Sequence, residues 1–331
     1  MRMSLKYILG ILLLLGAVIA VVGWATMRPD AGLSQPARPP ALIAHRCGTA
    51  DAPENTLTAC RLALSYGVKK LWVSVQVTED GIPVLYRPRD LSALTDGAGD
   101  IAHTPYKTLT RLNAGWHFKE MGPSGEATFP YRNKPVSIPA LEELIALLPE
   151  DAELFVDIKT PDAARASKAI ADVLQRHQLW NRTWIYSTLA DNLHAFDSYT
   201  QARRFEARED TRQRLVSLAM EQRCIGAPHP GAHIGFELRR DMEVTEPLTL
   251  GGGTSKVSAL LWNQRAMACI NAAQGTRITL FGINNESDYR LAAKLGADMV
   301  MVDSPRMASA YQLDRVSWLK RLLAQWGGRE H

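Results

Sequence analysis

The residues best equipped for chemistry lie early in this 331-residue chain, in LIAHRCGTADAPENTL, residues 42–57. An apolar run ends in His45 and Arg46, and a short loop then brings Glu54 and Asn55. Imidazole exchanges protons near neutral pH, and guanidinium presents a planar donor fork that matches a phosphate. His45, Arg46 and Glu54 could therefore grip and protonate a phosphate ester. They read equally as a salt-bridged loop in which Glu54 neutralises Arg46.

The elements that must position these groups follow from hydrophobic period. Short β-branched runs at 42–45, 71–77, 154–158, 184–187, 202–206, 234–238, 278–281 and 299–302 alternate with helical patterns. Such alternation predicts a parallel sheet of βα units, and eight strands predict a (β/α)8 barrel, a TIM barrel, of the α/β class. The clearest helices are expected at 57–66, 163–177, 191–199, 255–273 and 286–294. In LWVSVQV the aliphatic set Leu71, Val73, Val75 and Val77 should face helices, which turns Trp72 and Ser74 into the barrel. In LFVDIK the same test leaves Phe155, Asp157 and Lys159 inward. His45 and Arg46 then sit at a strand end, where barrels place catalytic groups. Residues 91–138, after the second strand, are too long for a plain connection and read as an insertion over the mouth.

Several features bound the setting. An uncharged apolar run to Met27 follows Arg2 and Lys6 and is long enough to cross a bilayer, so residues 1–27 read as a membrane anchor, with a cleaved signal peptide as the competing reading. The positive-inside rule then leaves the body outside the cytoplasm, a single-pass protein of a bacterial inner membrane with a periplasmic domain. Residues 28–40 are a Pro-rich linker, residues 41–310 the barrel, and 311–331 an amphipathic C-terminal tail. Cys47, Cys60, Cys224 and Cys269 allow two disulfides or four buried thiols, with connectivity open. A net charge of +4 without basic runs interleaved with aromatics excludes a nucleic-acid footprint.

From about Leu42 to Met307 the chain resembles the glycerophosphodiester phosphodiesterase family, on the ordered blocks AHRCGTADAPENTLTAC, VSVQVTEDGIPVLY, LTRLNAGWHF, VSIPALEELIALL, LFVDIKTP and GINNESDYRLAAKLGADMVMVDSP. The resemblance implies a (β/α)8 barrel with a small inserted subdomain, and phosphoric diester hydrolysis in lipid metabolism. It also implies two catalytic histidines and a Ca or Mg ion held by carboxylates. His45 matches the first histidine, Arg46 its phosphate-holding neighbour, and Glu54 and Asn55 the next block. The family's Glu-x-Asp metal pair falls on Trp72 and Ser74. Its second histidine falls on Arg87, its third metal carboxylate on Asp157, and the glycine of its His-Arg-Gly motif on Cys47.

These departures shape the expectations. Arginine cannot act as a general acid or base near neutral pH. Asp157 beside Lys159 is a poor cation site, so no cofactor is expected, the family's metal being weak or lost. Arg46, Asn55, Arg87 and Lys159 become the phosphate-binding set, able to neutralise the anion without metal. Asp157 with Lys159 reads as either a structural or a phosphate-facing pair, and Trp72 as packing or a substrate platform. Glu237 and Glu246 are weaker candidates for a replacement cation site. LGGGTS, 250–255, could open a helix and cradle an anion, or act as a hinge. The expected partner is a phosphodiester or phospholipid-derived small molecule. Three functions remain open: phosphodiester binding with impaired metal-dependent hydrolysis, metal-independent hydrolase or lyase action through His45, and a non-catalytic envelope interaction protein.

Overall fold

The computed structural model describes residues 39–312. The expected anchor, most of the linker and nearly all of the tail lie outside the described residues. Among the described residues no helix is long and apolar enough to cross a membrane.

Eight parallel strands form a nearly closed barrel: β1 (Ala41–His45), β2 (Lys70–Val77), β3 (Glu153–Ile158), β4 (Thr183–Tyr186), β5 (Arg203–Arg204), β6 (His233–Glu237), β7 (Arg277–Phe281) and β8 (Met299–Val302). They run in chain order around the sheet, with β1 paired to both β2 and β8. The edges β5 and β6 meet through a Phe205–His233 bridge, the Glu206 N–H donating to the His233 carbonyl at 2.9 Å. All eight strands fall on the runs expected from hydrophobic period.

The alternation within each strand separates two apolar layers. Leu71, Val73, Val75, Leu154, Val156 and Ile158 face outward and share a core with the helix residues Ile170 and Leu174. Inside the barrel, Ile43, Trp72, Phe155, Trp184, Tyr186, Phe205 and Phe281 pack with two methionines, Met299 and Met301. Burying each such side chain contributes about 1.5–3 kcal/mol, so the pattern of period two strongly disfavours a slipped register.

The helices are α1 (Leu57–Ser65), α2 (Leu141–Ile145), α3 (Ala163–Arg176), α4 (Ala190–His194), α5 (Arg208–Glu221), α6 (Gln264–Asn271) and α7 (Glu286–Leu295), beside single turns in the connections. Two differ from expectation. The run at 255–273 is helical only from Gln264, because Gly251–Leu260 pairs in antiparallel register with Arg239–Leu248 as a long hairpin after β6. LGGGTS accordingly forms the turn and returning strand of that hairpin and opens no helix. Helix α5 has no apolar stripe to betray it, since its buried face includes Thr211 and Arg214. Arg214 is held there by Glu206, Nη1 to Oε2 at 2.6 Å.

Between β2 and α2 the insertion carries its own small core of Val84, Tyr86, Leu91, Ile101, Leu109 and Ile138. It closes on the loop that leaves β1: a Cβ on Gly115 would stand 2.5 Å from Tyr131 Cβ and 3.1 Å from Pro53 Cγ.

Candidate active site

The site is built on the loop that leaves β1. Arg46 (φ 48°), Cys47 (φ 66°) and Gly48 (φ 108°) are consecutive left-handed residues, and Asn55 (φ 59°) is another. Gly48 is required where it stands, because a Cβ there would lie 2.8 Å from Pro305 Cδ. The turn is clamped twice, by a Cys47–Cys60 disulfide to α1 and by the Asn55 N–H donating to the Arg46 carbonyl at 2.9 Å. A second disulfide joins Cys224 and Cys269.

At the end of β1, His45 Nδ1 lies 2.6 Å from Asp303 Oδ1. Asn284 steadies that carboxylate, its Nδ2 donating to Oδ2 at 2.6 Å and its Oδ1 accepting the Asp303 N–H at 2.9 Å. Burial pushes the Asp303 carboxyl upward, but hydrogen bonding and charge from His45, with Asn284 and Thr49, hold it below the usual carboxylate range. A carboxylate on Nδ1 fixes the imidazole's orientation and tautomer and leaves Nε2 as the exchanging nitrogen.

Arg46 Nη1 donates to Glu54 Oε2 at 2.6 Å, both side chains being mostly buried. The salt-bridge reading of this pair is therefore realised. Yet Arg46 Nε and Asn55 Nδ2 remain buried donors without a partner among the described residues. Such donors are rarely left unmet and suit an anion's oxygens or ordered water. Asn55 Oδ1 accepts the Ser74 N–H at 3.0 Å, and Ser74 Oγ donates to Asp157 Oδ2 at 3.4 Å. Lys159 Nζ stands 2.9 Å from Asp157 Oδ1. Burial drives the Asp157 carboxyl upward against the opposing pull of Lys159, Trp72 and His45.

Trp72 fills space. Its ring lies 4.9 Å from Tyr186, 5.3 Å from Phe281 and 5.7 Å from Phe205, and only 2% of the residue is exposed. That exposure leaves no face for a substrate platform. Arg87 is exposed. Gln76, the next inward residue of β2, fixes its turn, donating from Nε2 to the carbonyls of Tyr86 at 3.1 Å and Pro88 at 2.6 Å.

Among the described residues Glu237 and Glu246 are not brought into a group of metal-ligating side chains. Glu237 is taken by Arg208, whose Nη2 lies 2.7 and 2.8 Å from its two oxygens. Glu246 is exposed on the hairpin, opposite Gly253. Among the described residues no three His, Cys, Asp or Glu side chains are grouped as metal ligands. The Ca or Mg ion of the family would meet Asp157 already paired with the Lys159 ammonium. That donor set does not fit a hard divalent cation.

Sequence reasoning overlooked Asp303, Asn284, Gln76, Tyr186 and Arg208 as site residues. Asp303 had a usable signal, a carboxylate directly after the MVMV strand at the end where barrels carry function. Tyr186, the last residue of β4, lies inward by the alternation that also turns Trp184 inward. Arg208, on an unrecognised helix, had none.

A family model for the glycerophosphoryl diester phosphodiesterase family matches residues 45–307. An uncharacterized protein of Mycobacterium tuberculosis, Rv2277c, is 43% identical over 273 residues, covering 82% of this chain and 90% of that protein. The crystal structure of its glycerophosphoryl diester phosphodiesterase domain superposes with a TM-score of 0.75 at 42% identity, covering 83% of this chain and all of that one. An Oleispira antarctica phosphodiesterase, solved with the product sn-glycerol-3-phosphate, shares the fold at TM-score 0.59 and 24% identity over 82% of this chain and 96% of its own. Human glycerophosphodiester phosphodiesterase 1 is 32% identical over 151 residues, 45% of this chain and 43% of that protein. On its motifs, its barrel and these matches, the chain belongs to the glycerophosphoryl diester phosphodiesterase family.

Proposed function

We propose that the protein cleaves phosphodiesters at the barrel mouth without a resident divalent cation, with His45 as its proton-transfer group. The observation that carries this reading is the 2.6 Å contact between His45 Nδ1 and Asp303. In the reaction, His45 Nε2 takes the proton of the attacking hydroxyl as its oxygen bonds to phosphorus. The attacker is water in a hydrolase, or a neighbouring substrate hydroxyl in a lyase. The opposite P–O bond breaks, and the departing alkoxide takes a proton from water at the mouth. The Arg46 Nε–H and Asn55 amide supply donors for the phosphate oxygens, with Lys159 and Arg87 adding charge. The anion would compete with Glu54 and Asp157 for Arg46 and Lys159, so charge is present but partly engaged before substrate arrives.

One observation favours a second reading, phosphodiester binding without turnover. The second histidine of the family pattern is Arg87, and arginine cannot give up its proton near neutral pH. The two readings part on one experiment: bis(4-nitrophenyl) phosphate and a panel of glycerophosphodiesters assayed with the full chain before and after EDTA. Turnover that survives EDTA and is lost in His45→Ala supports the first. Turnover abolished by EDTA and restored by Ca²⁺ or Mg²⁺ overturns it. Saturable binding without turnover selects the second.

The membrane anchor at residues 1–27 and a location outside the cytoplasm belong to the same proposal. The two cysteine pairs support them, since disulfides persist in oxidising compartments. A reporter fused after residue 40 that is active only outside the cytoplasm is the expected outcome.

A further inference from the structure

Two segments leave the mouth end of the barrel and finish in surfaces that the fold does not cover. One follows β2 and the other β6, and in the order of the eight strands these two lie opposite each other. They therefore flank the mouth from both sides. The segment after β6 is the hairpin of Arg239–Leu248 and Gly251–Leu260, which pairs with no other strand among the described residues. It stands clear of the barrel, since eight of the ten residues of its returning strand are exposed. A two-stranded hairpin is marginal in water unless a further surface covers it. Its stem is charged, with Lys256 Nζ 3.7 Å from Glu243 Oε1 across the strands. Beyond Glu246 the charges stop: residues 247–255, PLTLGGGTS, carry none. Leu250, in the turn, is fully exposed. From the level of Glu246 to the turn, the uncharged part measures roughly 10 Å at the ~3.4 Å rise of an antiparallel strand.

The segment after β2 is the insertion, and it presents aromatic rings with cations. Its two-stranded edge, Glu120–Met121 against Ala127–Thr128, leaves Met121 60% exposed. The Arg132 guanidinium lies 3.9 Å over the Phe129 ring and 5.0 Å over that of Trp116, and Phe118 meets Tyr131 edge to face at 5.5 Å. All four rings are half-buried. Residues 111–134 set the cations Arg111, Lys119, Arg132 and Lys134 against the carboxylates Glu120 and Glu126, an excess of positive charge. The close approach of Gly115 to both Tyr131 and Pro53 places this group directly beside the loop that carries the site.

A protein partner needs shape-specific side chains, and the hairpin tip offers three consecutive glycines and one free leucine, little against the ~800 Å² that each side of a stable complex buries. A bilayer asks for no such complementarity. It accepts an uncharged apolar tip to a depth of about 5–10 Å, seats Trp and Tyr rings at the head-group level, and draws cations when its lipids are anionic. Tip length, ring type and sign of charge all match. We propose that the hairpin tip and the edge of the insertion dock the mouth onto a phospholipid surface that contains anionic lipid. Residue 250 enters the acyl boundary, and the edge carrying Trp116 and Arg132 rests among the head groups. The docking does not depend on what the mouth catalyses.

The test uses the full chain with vesicles of phosphatidylcholine, alone or mixed with phosphatidylglycerol. Leu250→Cys, Ser124→Cys and Asn181→Cys each place one environment-sensitive dye, at the hairpin tip, at the turn of the insertion and at the barrel base, the native cysteines being paired. We expect mixed vesicles to shift the emission of the dye at 250 to the blue, and lipids brominated in their acyl chains to quench it by about twofold. The dye at 124 should respond more on mixed vesicles than on phosphatidylcholine alone, and the dye at 181 should not respond. Leu250→Asp, introduced into the chain labelled at 124, should shift docking by about tenfold, the worth of burying one leucine, with the unfolding midpoint unchanged. No response at 250 on any vesicle overturns the proposal, as does quenching at 181 in place of 250. A response at 250 without bromine quenching, together with a cross-link between copies at that residue, assigns the tip to a second copy of the chain and overturns the lipid surface.

Discussion

The two ends of the barrel are made from the same eight strands, yet they treat charge and backbone in opposite ways. At the base, Lys70 pairs with Glu153 across β2 and β3, and the guanidinium of Arg203 lies 4.0 Å over the Trp184 ring. His233 is fully buried there, stacked 3.8 Å from Phe205 and hydrogen-bonded through Nε2 to Thr279 Oγ1 at 2.7 Å. The strands start regularly and the end is sealed. At the mouth stand Arg46, Cys47 and Asn55, three of the five non-glycine residues with left-handed backbone among the described residues. Such conformations cost about 1–3 kcal/mol each and persist only where the surroundings over-determine them. One end is organised for stability and the other holds strain beside exchangeable protons, so perturbing each should affect different measurements.

The largest expected effect is at the mouth. His45→Ala should lower kcat by about 100- to 10,000-fold with the unfolding midpoint nearly unchanged, the range that a proton-transfer group supplies. Asp303→Asn should lose less, because the imidazole survives and only its orientation and tautomer are released. Equal activity of His45→Ala and the unaltered protein would remove the mouth's special status.

Next is the plug between the ends. Trp72→Ala empties a space among Tyr186, Phe205 and Phe281, and should destabilise the fold by about 3–5 kcal/mol in urea unfolding. The same packing makes Trp72→Glu, the substitution that the family resemblance would ask for in a metal ligand, a buried charge. A triple variant with Ser74→Asp and Arg87→His is therefore expected to unfold before it binds Ca²⁺ or Mg²⁺, read as folding by circular dichroism and as metal binding by calorimetry.

The disulfides sharpen the comparison. By loop-closure entropy, opening Cys224–Cys269, separated by 45 residues, should cost about 4 kcal/mol, and opening Cys47–Cys60, separated by 13, about 3 kcal/mol. Cys60→Ser should nevertheless damage activity more than Cys269→Ser, because only the first releases the Arg46–Gly48 turn. Denaturant midpoints set against kcat/KM for the two serine variants would show whether stability and function part in this way.

The smallest effect belongs to the base. Burial, and then the charges of Arg277, Arg203 and Lys70, hold the His233 pKa well below that of a free imidazole. Below about pH 6.5 the unfolded chain takes up a proton at this residue that the folded barrel does not. Its contribution is complete above that pH and falls as the pH drops toward the folded value, by at most about 1.4 kcal/mol per unit. Urea midpoints between pH 7 and pH 5 should fall for the unaltered protein and fall less for His233→Gln. Parallel slopes would mean that His233 does not set the acid sensitivity.

Strand positions and inward faces were legible because a period of two is a local property. The face of β2 carrying Trp72 and Ser74 could be chosen from one strand read alone. So could the placing of His45 and Arg46 at a strand end. The long hairpin was misread because Ser255–Leu260 carries no signal for a partner ten or more residues away. Helix α5 escaped because an ion pair, Arg214 with Glu206, replaces the apolar stripe by which helices are recognised. Only tertiary structure decided who pairs with whom: Asp303 with His45 across 258 residues of chain, Arg208 with Glu237 and Tyr186, and Cys47 with Cys60 rather than with another thiol. Residue types and spacing prescribe which groups arrive at the mouth, since each strand end is local. Barrel closure sets the distances between them, because it brings the last strand beside the first and turns a list of side chains into a site.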